Sequence, residues 1–147
     1  MKLSIKTCYG TRALLDIVQH SENNSPVHVK DIASRQNISL SYLESIITTL
    51  VSASIVHTSR GVKGGVFLAR PASTINLKQV VELLEGEITI SDCLQPSGSC
   101  RRSAVCATKD IWGDIAKAID GVLISVTLED LAEKQRNKTD SNKMYCI

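Results

Sequence analysis

The chain has 147 residues, of which 43% are hydrophobic and only 3% aromatic, and its formal net charge is +2. This length suffices for one domain with a core built from Leu, Ile, Val and Ala, which favours helices. No apolar run could cross a membrane and no signal-peptide pattern is present, so we expect a cytoplasmic protein without a membrane partner. The small positive charge permits nucleic-acid binding without arguing for it.

The first helix is predicted from apolar residues that recur at three- and four-residue steps between Ile5 and His20. Ser4 stands where an N-cap is expected. Cys8 lies close to the apolar stripe of this helix, where a lone cysteine is usually a small buried hydrophobe. The Ser-, Asn- and Pro-containing segment 21–27 is predicted to be a loop.

Two short helical patterns follow, over 29–36 and from Ser41 onward, separated by a three-residue break. Two helices joined by so short a turn form the helix-turn-helix arrangement, which alone is not specific to DNA binding. Ser41 is followed three residues later by Glu44, a spacing that fits a capping box. The sequence therefore predicts a second helix that begins near Ser41.

The segment RGVKGG, at 60–65, lies between two short apolar or β-branched runs. A hairpin directly after a helix-turn-helix is a wing, and its glycines allow positive φ angles and a close approach to a ligand. Arg60 and Lys63 could reach phosphates or a narrow minor groove. The alternatives are a merely solvated hairpin or a phosphate-binding loop of the Walker type. The second is disfavoured because no helix with Lys-Ser or Lys-Thr follows.

A loop rich in Ser, Gly and Arg contains Cys93, Cys100 and Cys106, with six and five residues between successive cysteines. It has almost no apolar content, and three thiolates could hold it around zinc, copper(I) or an iron–sulfur cluster. Free thiols or a disulfide are the alternative. In a reducing compartment, cysteines are more often metal-binding or redox-active than structural disulfides.

Helical patterns also flank the cysteine loop. Asn76 is a predicted N-cap and Gly86 a predicted stop for the helix before the loop. The longest periodic stretch, over 108–125, has a stripe wider than one small winged domain could cover, which predicts a dimer interface. Thr127 is expected to cap a short final helix, and the polar tail, with Cys146, is expected to be disordered.

These features together resemble the Rrf2 family of bacterial winged-helix regulators, of the IscR and NsrR type. The resemblance covers roughly residues 1–135 and rests on ISLSYLE at 38–44, the RG-x-x-GG wing at 60–65, the three-cysteine loop, and W-x-D at 112–114. It implies a mainly α-helical fold with a small β-hairpin wing, and a homodimer bound to double-stranded operator DNA. The implied division is a winged helix-turn-helix domain (1–90), a cluster-binding loop (91–107), a dimerisation helix with a short C-terminal helix (108–135) and a disordered tail (136–147).

The resemblance assigns DNA contacts to the recognition helix and the wing. Ser39, Ser41, Tyr42 and Glu44 correspond to residues that face bases and phosphates, and Arg60 to an arginine that enters the minor groove. For Glu44, the alternative is a role in the capping box alone. The segment 39–59 contains no Lys or Arg, although relatives often carry cations at the end of this helix. Phosphate affinity is therefore expected to depend on cations elsewhere, namely Lys30, Arg35, Arg60 and Lys63.

The resemblance also implies an iron–sulfur cluster, 2Fe-2S or 4Fe-4S, held by Cys93, Cys100 and Cys106, although the first gap is one residue longer than is usual. In the IscR type, a histidine three residues past the third cysteine completes the set, but Lys109 stands there and cannot serve. In the NsrR type, the fourth ligand is an acidic residue on the partner's first helix, and Cys8 stands at that place. Cys8 is thus either a ligand for the partner subunit's cluster or a core residue.

The expected function is a homodimeric regulator, acting as a repressor, whose operator affinity is controlled by the cluster and which senses iron or cluster supply, redox state or nitric oxide. The alternative is a cluster-free regulator that responds to a metabolite or to thiol oxidation. An enzyme is not expected, because no Ser–His–Asp set, paired carboxylates or nucleotide loop is evident in the sequence.

Overall fold

The structure, a computed structural model, describes residues 2–95, 100, 102 and 104–144, with side chains to Ser141. Within these residues no helix is both long and apolar enough to cross a bilayer. The described elements, in chain order, are α1 (Ile5–His20), α2 (Val29–Gln36), α3 (Leu40–Ser52), β1 (Val56–Ser59), β2 (Gly65–Leu68), α4 (Leu77–Glu85), α5 (Ala107–Ser125) and α6 (Leu128–Met144).

Helix α1 begins at a double cap. Ser4 Oγ accepts a hydrogen bond from the backbone N–H of Thr7 at 3.4 Å, as the sequence predicts. Glu85, the last residue of α4, accepts from the amide of Ser4 and, at 3.3 Å, from the hydroxyl of Thr7. The Ser4 hydroxyl, then the Ser4 amide and, less strongly, the Thr7 hydroxyl favour the charged carboxylate and hold the pKa of Glu85 below its usual value. The end of α4 is thereby attached to the start of α1.

The core lies where α1 meets α3 and α4. Leu14, Ile17, Leu43 and Ile46 are fully buried there. At Gly10, a Cβ would collide with the Leu84 side chain, so a glycine on this face of α1 allows α4 to approach closely. Apolar side chains at helical spacing on opposing helices thus bury one common face.

Helices α1 and α2 are joined by a buried ion pair. Asp16 has no exposed surface, and its Oδ1 lies 2.6 Å from Nη2 of Arg35. Gln36 donates to the other carboxylate oxygen at 2.8 Å. A buried carboxylate requires such partners, because an unpaired charge in the interior is strongly destabilising.

The wing is a two-stranded antiparallel hairpin in which Val56 pairs with Leu68 and Ser59 with Gly65. It is attached to the domain by Val27, which exchanges two backbone hydrogen bonds of 2.8 Å with Val66. The hairpin therefore has a fixed position relative to the segment that leads into α2.

The last two helices extend beyond the winged domain. Asn76 caps α4, and Thr127 and Asp130 form a reciprocal cap at the start of α6, as the sequence predicts for both caps. The expectation of disorder from residue 136 is wrong for residues 136–144, because α6 continues as helix to Met144. Its extension lies against α1, where Gln19 and Thr139 line the same crevice. Residues 145–147, with Cys146, lie outside the described residues.

Candidate DNA-binding surface and cysteine loop

The helix-turn-helix turns at Asn37, which adopts a left-handed conformation with φ of 53°. The N–H of Ile38 then donates to the carbonyl of Ala33 at 2.9 Å, which closes the end of α2. Ser39 is the N-cap residue of α3, so the cap lies two residues before Ser41 and the helix begins at Leu40. The predicted helix-turn-helix is confirmed, but its second helix begins earlier than we expected.

The predicted capping box at Ser41 and Glu44 is therefore wrong, because Ser41 already lies within the helix. The Glu44 side chain is exposed, and among the described residues its carboxylate takes part in no hydrogen bond or ion pair. The reading in which Glu44 serves only the cap is excluded. Its oxygens can accept from an external donor, such as an exocyclic amine of a base.

The outward side of α3 is polar and uncharged apart from Glu44. Ser39 and Ser41 are exposed, whereas Tyr42 is half-buried. The ring of Tyr42 packs edge-on against that of Tyr9 on α1, with 6.0 Å between centroids and 77° between planes. The guanidinium of Arg12 lies 5.5 Å from the centroid of the Tyr9 ring. Tyr42 thus joins the start of α3 to α1 in addition to any contact with DNA.

Arg35, which we expected to contact phosphate, forms an ion pair within the chain instead. Its Nε donates to both oxygens of Asp16, at 3.1 and 3.2 Å, besides the shorter contact from Nη2. The hydrogen bond to Asp16 raises the pKa of Arg35 further, so the guanidinium stays charged. Lys30, on the same helix, is exposed. The sequence contained a signal for this pair, since Asp16 interrupts the apolar stripe of α1 and a buried carboxylate requires a cation.

The wing presents Arg60 and Lys63 to solvent, as expected. The N–H of Gly64 donates to the carbonyl of Gly61 at 2.9 Å, which forms a tight turn at the tip. Gly61 has a φ of 105°, and a Cβ at Gly64 would lie 2.8 Å from the same carbonyl oxygen, so both positions require glycine. The tip therefore has a defined shape from which its two cations project.

The described cysteines all lie outside the core. Cys8 is exposed, so the reading of Cys8 as a core residue is wrong. Cys100 is exposed, and Cys93 and Cys106 are half-buried. Each of these four sulfurs is a free thiol. Their accessibility makes them available for a ligand or for modification.

Cys106 stands directly before α5, where backbone N–H groups point outward. A hydrogen bond from the Thr108 hydroxyl, with 3.0 Å between Sγ and Oγ1, and others from the amides of Lys109 and Thr108 lower the pKa of the Cys106 thiol. A helix N-terminus favours a thiolate, which is the form that binds metals. Cys93 lies 3.2 Å from the hydroxyl of Ser91.

Within the described residues, no three His, Cys, Asp or Glu side chains converge on a point that would hold a metal ion. One chain alone thus has no preformed site in this part of the sequence. The donor chemistry nevertheless fits a cluster, since Cys93, Cys100 and Cys106 are unpaired thiols in one loop and the pKa of Cys106 is lowered. Residues 96–99, 101 and 103 of that loop lie outside the described residues.

Helix α5 has no buried residue along its 19-residue length. It is attached to α4 by an ion pair in which Lys78 Nζ lies 2.9 Å from an oxygen of Asp120. Its other side exposes large apolar residues, including Val122 at 63% and Ile115 at 39%. A shallow apolar groove there is lined by Ile115, Ala118, Ile119, Val122 and Leu123. Such a face is typical of a protein interface.

Comparison with known proteins gives consistent matches along the chain. A family model described as "Rrf2: Iron-dependent Transcriptional regulator" matches residues 3–134. Protein rrf2 of Nitratidesulfovibrio vulgaris is 44% identical over 131 residues, covering 89% of this chain and 87% of the relative. The structure of CymR, the global cysteine regulator of B. subtilis, aligns with a TM-score of 0.78 and 30% identity, covering 91% of this chain and 98% of CymR. T. potens IscR aligns with a TM-score of 0.73 and 34% identity, covering 92% of this chain and 88% of the IscR chain.

Proposed function

Because this chain belongs to the Rrf2 family of transcriptional regulators, we propose that it is a homodimeric repressor whose operator affinity is controlled by an iron–sulfur cluster. It is a regulator and not an enzyme. The observation that carries the proposal is the combination of a winged DNA-binding surface with three unpaired thiols in the loop that leads into α5. We place its action on double-stranded DNA in the cytoplasm.

The unburied helix α5 supports the homodimer. Its apolar side chains would leave water in a complex with a second copy, and each Å² buried contributes about 25 cal/mol. An isologous pair would place the same helix on both sides of the contact. Two winged domains held in this way would occupy two half-sites of a palindromic operator.

The DNA contacts that we propose are Ser39, Ser41, Tyr42 and Glu44 on α3 together with Arg60 and Lys63 on the wing. The two serines can donate to phosphate oxygens, and Glu44 can accept from the exocyclic amine of cytosine. The wing cations would bind phosphates or the minor groove. Arg35 is omitted because it is paired with Asp16.

For the cluster, we propose Cys93, Cys100 and Cys106 from one chain with Cys8 of the partner subunit as the fourth ligand. The exposure of Cys8 supports this assignment, since a buried thiol could not reach another chain. A cluster bound there would respond to oxidants, nitric oxide or iron supply. The proposed cluster site is connected to the winged domain through α5. This helix begins directly after Cys106 and is attached to α4 by the ion pair of Lys78 and Asp120, so a constraint on the Cys106 thiol would act on both helices.

The alternative function is a cluster-free regulator that responds to a metabolite or to oxidation of the same thiols. The similarity to CymR, a cysteine regulator, favours this alternative. The lowered pKa of Cys106 would also suit a thiol that reacts with oxidants. In that case, iron would leave operator binding unchanged.

The test begins with selection of bound duplexes from a random pool by the anaerobically purified protein. The affinity of the selected operator is then measured with and without iron and sulfide, for wild type and for Cys100→Ser. We expect iron and sulfide to change the affinity of wild type about tenfold or more and to leave the variant unchanged, since coupling free energies typically span 5- to 150-fold. Cys146→Ser serves as the matched control. A wild-type affinity that is insensitive to iron but sensitive to a thiol oxidant would favour the alternative.

A further inference from the structure

Val62, at the tip of the wing, is 98% exposed, the most of any large hydrophobic residue described. It occupies a central position of the turn that is closed by the hydrogen bond from Gly64 to Gly61. A single exposed apolar residue is ordinary on a protein surface. The surroundings of Val62 distinguish it, because the tip is fixed and positively charged.

The conformation of the tip depends on its two glycines and on the backbone hydrogen bonds below it. Gly61 has a φ of 105°, and a Cβ at Gly64 would approach the backbone of Ser59 and Gly61 too closely. Below it, the two hydrogen bonds between Val27 and Val66 attach the hairpin to the domain. Val62 therefore projects from a hydrogen-bonded turn whose shape directs its side chain away from the domain.

The positive charge at the tip of the wing indicates that its partner is anionic. Arg60 and Lys63 flank Val62 and are both exposed, so the tip attracts an anionic surface. Segment 39–59, which includes the recognition helix, contains no Lys or Arg, and Arg35 is paired with Asp16. Among the cations that we expect to contact phosphate, Lys30 of α2 and the two cations of the wing then remain, so the wing supplies two of the three. Apolar side chains are known to contact or wedge into the minor groove between cationic neighbours.

We propose that Val62 makes an apolar contact with the deoxyribose edges of the operator's minor groove, between phosphate contacts of Arg60 and Lys63. The inference rests on the proposed DNA-binding function and adds a contact that does not depend on ion release. Each Lys or Arg that binds a phosphate releases a counterion. The logarithm of the association constant therefore falls with the logarithm of the salt concentration, by about 0.9 per phosphate contacted. A buried valine weakens little with salt, because its contribution comes from apolar area.

The experiment compares wild type with Val62→Thr, which has nearly the same shape but a polar hydroxyl, with Val62→Ile, and with Lys63→Gln. Affinity for the selected operator is measured by fluorescence anisotropy over a series of salt concentrations. Val62→Thr should bind about three- to tenfold more weakly at every salt concentration, with an unchanged slope. Val62→Ile should bind at least as well as wild type. Lys63→Gln should lower the slope by about one.

Hydroxyl-radical cleavage locates the contact, since the radical attacks deoxyribose from the minor groove. Wild type should protect the sugars under the wing, Val62→Thr should keep that protection at saturating protein because its side chain has the same size, and Val62→Ala should lose it while protection elsewhere remains. Equal affinity of Val62→Thr and wild type, or a change in the salt slope, would overturn the inference. If wild type selects no duplex at all, the proposed function fails and this inference fails with it.

Discussion

Asp16 of α1 and Arg35 of α2 form an ion pair between the two helices, with 2.6 Å between Oδ1 and Nη2, in which Asp16 is fully buried and Arg35 is partly exposed. The pair fixes the orientation of the helix that precedes the recognition helix. It also removes one cation from the set that could bind phosphate.

Replacement of Arg35 by alanine should destabilise the fold without changing the electrostatics of DNA binding. It leaves the Asp16 carboxylate with Gln36, at 2.8 Å, and His20 Nδ1, at 3.4 Å, as its remaining partners. We expect a loss of about 2–3 kcal/mol, at the low end of buried-pair values because Arg35 is partly exposed. Urea unfolding measures the loss. Lys30→Ala, at an exposed site on the same helix, is the control and should change stability by less than about 0.5 kcal/mol. An Arg35→Ala protein with wild-type stability and a reduced salt slope would restore Arg35 as a phosphate contact.

The contact between Tyr9 and Tyr42 should set the position of the recognition helix. Replacement of Tyr9 by leucine removes an edge-to-face aromatic contact worth about 1 kcal/mol, so operator affinity should fall about fivefold although Tyr9 itself lies on α1. Tyr9→Phe keeps the ring and should bind as wild type does. Anisotropy titration of both variants measures the difference. Wild-type affinity in Tyr9→Leu would show that Tyr42 is positioned by α3 alone.

Glu85 should make the free energy of unfolding depend on pH. Its pKa is lowered in the folded state by hydrogen bonds from Ser4, so folding favours the charged form. The unfolded chain therefore binds more protons over this range, and stability rises with pH. The contribution is complete above the usual glutamate pKa, which is 4.5, and is lost as the pH falls through the lower folded-state value.

Glu85→Gln provides the test of this acid dependence. Its melting temperature should lie below that of wild type at neutral pH and should converge with it in acid. Glu87→Gln, at an exposed site just beyond the helix, is the control and should lack this pattern. A constant difference between Glu85→Gln and wild type across pH would contradict the assignment.

The apolar face of α5 should determine the oligomeric state. Val122→Glu places a charge in the groove and should convert the dimer to a monomer, with a weaker affinity for a two-site operator. Lys117→Glu introduces the same residue on the opposite side of the helix and should remain dimeric. Sedimentation equilibrium distinguishes the two variants. If Val122→Glu remains dimeric, the copies associate through another surface.

Local signals in the sequence were sufficient for most of the fold. The bounds of α1 and α2, the caps at Ser4, Asn76 and Thr127, and the wing all follow from periodicity and turn chemistry within a few residues. The start of α3 was misjudged because Ser39 and Ser41 are both good N-cap residues. The length of α6 was misjudged because residues 136–141 of its second half are polar and exposed and have no apolar periodicity from which a helix could be predicted.

The candidate site was predictable in its residue types but not in its arrangement. Arg35 looked available because its partner, Asp16, lies on another helix. Cys8 lies at the margin of the apolar stripe of α1, where periodicity does not decide whether a residue is buried. Its exposure depends on which side of α1 packs against α4. The spacing of Cys93, Cys100 and Cys106 identifies candidate ligands. Spacing cannot show how close the thiols lie, and within one chain the described thiols do not converge on a metal site.

Control by a cluster requires that iron and acid-labile sulfide remain bound to each chain after anaerobic purification, and both are measured together with the visible spectrum of the same sample. We expect about two of each, or about four of each for the larger cluster. We also expect that Cys8→Ala stays folded and dimeric but loses its iron faster in air. Absence of both iron and sulfide, even after anaerobic reconstitution, would contradict cluster control and leave a winged-helix regulator whose thiols act by redox chemistry or bind zinc.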